Sequence, residues 1–171
     1  MSSEFKDIKL LEPRIEGGMP LFQVLHCRKS TKAYTPNKEL SLQQISEILY
    51  CAYGFSDLKT EHRTISSGMM AFPLHVYAVL PKGIYRYEPK ENLLKAMKQG
   101  DYMEKAGRQD FVKDASMTLI FYSNTDKKLE NEIRAKYYEG TPEETRNQWA
   151  DIEVGLVSLV KIFICIALQK I

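Results

Sequence analysis

Cysteine, histidine and tryptophan are scarce in this chain. Its 171 residues include three cysteines, three histidines and one tryptophan. Cys27, Cys51 and Cys165 form no Cys-x-x-Cys pair and leave an odd thiol, which argues against a disulfide framework. Scattered histidines and cysteines lack zinc-ligand spacing, so no metal is expected. Charge of one sign is also in short supply: the net charge is +2. A nucleic-acid protein would carry a broader basic face, so no nucleic-acid partner is expected. Met1 to Asp7 is polar and charged rather than an apolar leader. Reduced thiols in a cytoplasmic protein are the natural expectation. Internal repeats and low-complexity linkers are missing too. With 44% hydrophobic and 27% charged residues, the chain reads as globular, most simply one domain over 1–171.

What basic charge there is gathers in one place. Arg28-Lys29-Ser30-Thr31-Lys32-Ala33-Tyr34 directly follows the apolar stretch Pro20 to Cys27. Arginine offers a planar fork of donors, lysine a point charge, serine and threonine short neutral donors. That combination suits a phosphate-bearing ligand. A solvated basic turn is the plainer alternative for these residues taken alone.

Turn signals at Glu16-Gly17-Gly18 precede a helix expected over Leu21 to Lys29, and Thr35-Pro36-Asn37 breaks the chain again. Ser41 with Gln44 has capping-box spacing. The helix it opens has Leu42, Ile45, Ile48, Leu49 and Ala52 on one face, with Gly54 as a C′ residue. Leu74 to Leu80, a turn at Pro81-Lys82-Gly83, and Ile84 to Tyr87 read as a hairpin. Met103 to Lys113 looks helical. Ser116 to Tyr122 reads as the clearest buried strand. Lys127 to Glu139 reads as an exposed helix ended by Gly140. Thr141 as N-cap, Pro142 at N1 and Glu143-Glu144 open a last helix. From Val154 to Leu168 that helix is apolar except at Ser158 and Lys161. About 15 apolar residues fall short of the roughly 20 that span a bilayer, so no membrane is expected. The element order implies an α+β domain with a mostly antiparallel sheet and a central helix.

Four stretches carry a family resemblance. Ile8-Lys9-Leu10-Leu11-Glu12-Pro13 with Arg28 to Tyr34 resembles an opening Arg-Arg-Ser-x-Arg-x-Phe motif. Leu40 to Gly54 is similar to a Leu-Ser … Leu-Leu … Ala-x-Gly segment. Arg63-Thr64-Ile65-Ser66-Ser67-Gly68, Phe72-Pro73-Leu74, Val76-Tyr77 and Gly83-Ile84-Tyr85-Arg86-Tyr87 resemble Arg-Thr-x-Pro-Ser-Gly … Tyr-Pro-Leu-x-x-Tyr and Gly-x-Tyr-x-Tyr. Gln109 to Ala115 resembles Gln-x-Phe-Val-x-Asp-Ala-Pro. Together, in this order, they resemble the FMN-dependent nitroreductase superfamily, in the branch that includes flavin oxidase components of peptide azole synthetases. The resemblance extends to Ser158. It implies the nitroreductase-like α+β fold, an intertwined homodimer and two interfacial flavins. It implies that Arg28, Lys29, Ser30 and Lys32 contact the FMN phosphate, ribityl chain or polar flavin edge. Ser66, Ser67 and Gly68 would approach the flavin from the other subunit. Met70 stands where many members have an Asn that bonds the flavin, and it brings no such donor. Ser66 stands where the family has Pro.

Past Ser158 the pattern departs. Relatives read Gly-x-x-Ser-Gln-Asn-x-Tyr-Leu-x-Cys-Ala and continue into a segment that wraps the partner. Codons permitted for 159–171, read from the third base of Leu159, allow Ser-Gln-Asn-Ile-Tyr-Leu-Tyr-Cys-Ala-Ser-Glu-Asn. A frameshift that replaced and truncated the tail is therefore the expectation, with a naturally divergent ending as the alternative.

The implied activity is two-electron transfer from NAD(P)H through FMN to a small-molecule acceptor such as a nitroaromatic or quinone. The cofactor carries that chemistry, so no catalytic residue is named. Tyr50, Tyr53, His62, His75 and Trp149 read as packing or surface groups. The alternatives are a flavin oxidase or dehydrogenase of another subtype, or a flavin-poor inactive product of a shifted frame.

Overall fold

The computed structural model describes residues 5–30, 38–126, 128–129 and 131–168; for 161–168 it describes the helical backbone alone. Five strands form one antiparallel sheet: β1 (Ile8–Lys9), β4 (Leu74–Leu80), β5 (Gly83–Glu88), β6 (Leu93–Gln99) and β7 (Thr118–Ser123), in the order β1-β6-β5-β4-β7. A separate two-stranded ribbon pairs β2 (Phe55–Asp57) with β3 (His62–Arg63). Among the described residues, four α-helices complete the fold: α1 (Leu21–Cys27), α2 (Leu42–Tyr53), α3 (Glu132–Glu139) and α4 (Glu143–Leu168). The α+β architecture read from the sequence is the one observed.

Helix α2 follows its local instructions. Ser41 Oγ accepts from the Gln44 N–H, and the Gln44 side chain accepts from the Ser41 N–H, closing the capping box. Its face buries Ile48, Leu49, Ala52 and Tyr53. These meet Leu74, Val76 and Ala78 of β4, Tyr85 and Tyr87 of β5, Leu94 of β6 and Val157 of α4 in one core. The strap before α1 is tied to the same helix. Ser46 Oγ accepts from the Leu11 N–H at 2.9 Å, and Arg14 grips the Glu47 carboxylate with two N–H donors at 2.6 and 3.2 Å. Hydrogen bonding from Arg14 holds the Glu47 carboxyl below its usual range against the opposing effect of burial.

Six expectations need correction. Met103 to Lys113 is not a helix: single 3-10 turns at 103–105 and 110–114 flank Gly107, where a Cβ would sit 2.8 Å from the Val112 side chain. Ser116 to Tyr122 is not a buried strand but an edge. β7 pairs with β4 alone, turning Leu119 and Phe121 to the core and leaving Ile120 and Tyr122 exposed. Gly54 follows α2 at φ −75°, so no left-handed cap forms; a Cβ there would lie 2.6 Å from Tyr50 instead. α1 stops at Cys27, short of Lys29, and α3 begins only at Glu132. The start of α4 is shifted as well: Glu143 is its first residue, and the Thr141 hydroxyl donates to the Tyr137 carbonyl at the end of α3.

Strand β6 was not legible. Its sequence Leu-Leu-Lys-Ala-Met-Lys-Gln favours helix, and pairing on both sides with β1 and β5 overrides that preference. Among the described residues, no helix is long and apolar enough to cross a membrane.

Candidate functional site

Two groups of predicted site residues lean on the same helix. α1 packs on α4, and so does the 3-10 turn Gly68–Met70. Arg28, Lys29 and Ser30 leave the end of α1 fully exposed. Their side chains have no hydrogen-bond or ion-pair partner among the described residues. Lys32 lies outside the described residues.

The second group is held tightly. A Cβ on Gly68 would meet the Trp149 ring at 2.7 Å, so only glycine lets this turn rest on α4. Trp149 is thus a packing group, as expected. Ser67 Oγ accepts the Phe72 N–H at 2.9 Å, while Ser66 is exposed. Between them the backbone is strained. Met69, Met70 and Phe72 take φ of 55°, 53° and 46°, a region that non-glycine residues rarely occupy. Each such residue costs on the order of 1–3 kcal/mol, which the surrounding packing must offset. Met69 is exposed, and Met70 is half-buried.

Beside this turn sits a side chain that the sequence did not single out. Arg63 on β3 is fenced by the rings of Tyr53, Phe55 and Phe72, with its guanidinium carbon 4.4, 4.5 and 4.7 Å from their centroids. Cation–π attraction and a 3.1 Å bond from Nη1 to the Tyr53 carbonyl fix its plane. Its Nε is buried without an acceptor. Burial pulls its pKa down from the ordinary arginine value, though the group stays charged. Tyr53 continues the network inward. Its hydroxyl donates to buried Glu153 at 2.7 Å and accepts from the Leu74 N–H at 3.1 Å. Burial, and then the nearby Glu153 carboxylate, push the Tyr53 phenol far above its usual range. Residues 53, 55, 63 and 72 share no period, so no pattern could have announced this cage.

Arg63 and Phe72 line two open clefts. One also takes in Met70, Lys90 and Arg134; the other runs along Leu74, His75 and Tyr87. Arg28 to Ser30 and Ser66 to Gly68 line neither. These two clefts therefore do not bring the two predicted groups together.

The model of the Nitroreductase family matches residues 25–158, most of the chain. The chain belongs to the nitroreductase family. A nitroreductase-type protein of Ralstonia eutropha JMP134 has a similar structure, with a TM-score of 0.81 and 30% identity over 95% of this chain and 72% of that one. Two more distant structures share the fold. One is a nitroreductase-type protein of Anabaena variabilis ATCC 29413, with TM-score 0.62 and 15% identity over 86% of this chain and 30% of that chain. The other is the E. coli microcin synthetase McbBCD complex with truncated pro-MccB17 bound, with TM-score 0.58 and 14% identity over 91% of this chain and 62% of that chain. None of the curated proteins matches the chain in sequence. Family and fold support an oxidoreductase of the nitroreductase type. Nitroreductases generally use flavin and are typically dimeric. The match ends at Ser158, where the sequence pattern departs. α4 continues as helix to Leu168, and the side chains of 161–171 lie outside the described residues.

The donor set fits the anionic end of a flavin nucleotide. Arg28, Lys29 and Ser30 are exposed, suited to phosphate oxygens and engaged by no described neighbour. Met70 brings no donor, so that fit rests on the phosphate end.

Proposed function

We propose that this chain is an FMN-dependent NAD(P)H oxidoreductase that passes two electrons to a small electron-poor acceptor, a nitroaromatic or quinone. The observation that carries the reading is the unengaged basic cluster at Arg28–Ser30 inside a family match that spans 25–158. When bound, FMN supplies the relay of electrons between donor and acceptor. Arg28, Lys29, Ser30 and Lys32 would hold its phosphate, ribityl chain or polar ring edge, where cations suit negative charge. Ser66, Ser67, Gly68 and Met70 flank the ring from a second subunit. Ser67 and Trp149 orient that flank, and no side chain needs to act as acid or base.

A homodimer supports this division of the site. Phe22 and Leu21 on α1 are 85% and 61% exposed, and Ile152 on α4 is 62% exposed. Large apolar side chains left exposed on two touching helices are the kind a partner covers. A flavin-poor protein is the rival reading, and the missing donor at Met70 is the feature in its favour. An oxidase acting on a modified peptide would differ in its donor and acceptor.

The test is the visible spectrum of FMN-soaked, desalted protein together with its mass in solution. A retained flavin band on a dimer that NAD(P)H bleaches is expected. A colourless folded monomer would overturn the reading.

A further inference from the structure

The cleft beside Arg63 has an unusual charge balance. Arg63, Lys90, Lys128 and Arg134 all line it, and among its described lining residues the one carboxylate is Glu61. Glu61 lies 3.5 Å from Lys90 and 4.0 Å from Arg134, and its side chain is half exposed. Among the described residues, four cations thus face one half-exposed carboxylate. Asn131 caps α3 at the same cleft by accepting the Arg134 N–H, so the positive end of that helix adds to the field.

Arg63 is the most telling of the four. Buried charges in proteins are normally paired. Among the described residues, this guanidinium makes no ion pair within 4 Å; Glu153 and Glu61 act on it only from farther away. Its three aromatic neighbours hold the plane but accept no N–H bond in line, and Nε remains unmet. A donor that is oriented, dehydrated and unmet is costly unless something else meets it. The apolar wall of the cleft is Phe55, Met70 and Phe72.

We propose that this cleft is a binding subsite for the oxyanion, carboxylate or phosphate, of a small molecule whose apolar body lies against Phe55, Met70 and Phe72. Arg63 and Arg134 are its main donors and Lys90 and Lys128 supply field. Glu61 opposes the ligand and sets its affinity. Only the role of the bound molecule, as one reactant of the oxidoreductase, rests on the reading proposed above. Binding itself does not depend on flavin.

The experiment titrates the full chain with benzoate and, separately, with inorganic phosphate by calorimetry at low ionic strength. Wild type, Glu61→Gln and Arg134→Gln are compared. Both substituted side chains are at least one-third exposed or nearly so, and exposed pairs contribute little to folding. At least one anion should bind. Glu61→Gln should tighten it by about threefold, and Arg134→Gln should weaken it by about tenfold, as the loss of a charge-assisted donor does. Preference for benzoate would indicate a carboxylated aromatic acceptor. Preference for phosphate would indicate a phosphate-bearing reactant. No binding of either, or binding that both variants leave unchanged, would overturn the proposal. FMN absorbance recorded on the same samples separates the two readings: anion binding without flavin retention sinks only the flavin enzyme.

Discussion

The α2–sheet core and the segment from Glu61 to Phe72 obey different rules. In the core every level agrees. Ser41 caps, the apolar face buries, and β4 and β5 alternate as their sequences direct. In the segment the local rules are broken repeatedly. Glu61, Met69, Met70 and Phe72 all sit at positive φ, and half-buried Arg63 has a buried, unmet Nε. Natural proteins concentrate such violations where they bind or react, and neighbouring structure holds the strain. Here the holders can be named: Trp149 under Gly68, Ser67 across the turn, and the Tyr53–Glu153 pair behind the arginine.

Four substitutions test this contrast. The largest effect belongs to the core. Leu49 is fully buried, and Leu49→Ala should cost about 3 kcal/mol in urea unfolding through the cavity it leaves. It should leave retained FMN per folded chain unchanged. If flavin fell with it, the two regions would not be separable.

Tyr53→Phe comes next, at about 2 kcal/mol, because Glu153 loses this donor and the Leu74 N–H its acceptor. The pH dependence has a definite sign. The Tyr53 phenol titrates above its unfolded value, so its contribution is complete below about pH 10 and is lost as pH rises further. The phenylalanine variant should show a smaller loss of stability between neutral and strongly alkaline pH than wild type. An unchanged alkaline slope would remove Tyr53 from the account.

Gly68→Ala should cost about 1.5 kcal/mol by overpacking against Trp149. Trp149 is the only tryptophan, so its fluorescence reports directly on this joint. A shifted emission maximum is expected. An unchanged spectrum would show that the ring does not rest on the turn. The smallest effect has the opposite sign. Met70→Asn places a residue tolerant of the left-handed region at φ 53° and should stabilise by about 0.5 kcal/mol. The amide it introduces should also raise FMN affinity severalfold, read by quenching of flavin fluorescence. Weaker flavin binding would show that Met70 is not turned to the cofactor.

Much of the core could be read from the chain alone. Strand composition over 74–80, alternation over 84–87 and the Ser41–Gln44 pair describe local physics, and local physics decided those elements. Where the reading failed, a longer-range contact won. β6 has helix-forming residues but two strands to pair with. The run 103–113 has helix-forming residues but is broken at Gly107 by the approach of Val112. β7 has buried-strand composition but no neighbour on its outer side. The site divided the same way. Ser67, Gly68 and the basic cluster are site candidates through their motifs alone. Arg63 stood inside one of those motifs without a sign of its own importance, since its ring neighbours Tyr53, Phe55 and Phe72 and its cleft neighbours Lys90 and Arg134 come from four separate stretches.

The sequence by itself determined the α+β class, the capped helix, the hairpin and the family to which the chain belongs, because each is written in adjacent or regularly spaced residues. Only the tertiary structure decided the edge position of β7, the strained turn on Trp149 and the cation-lined cleft at Arg63. Those depend on which distant surfaces meet, and burial, close approach and electrostatic field at a meeting point leave no period in the chain.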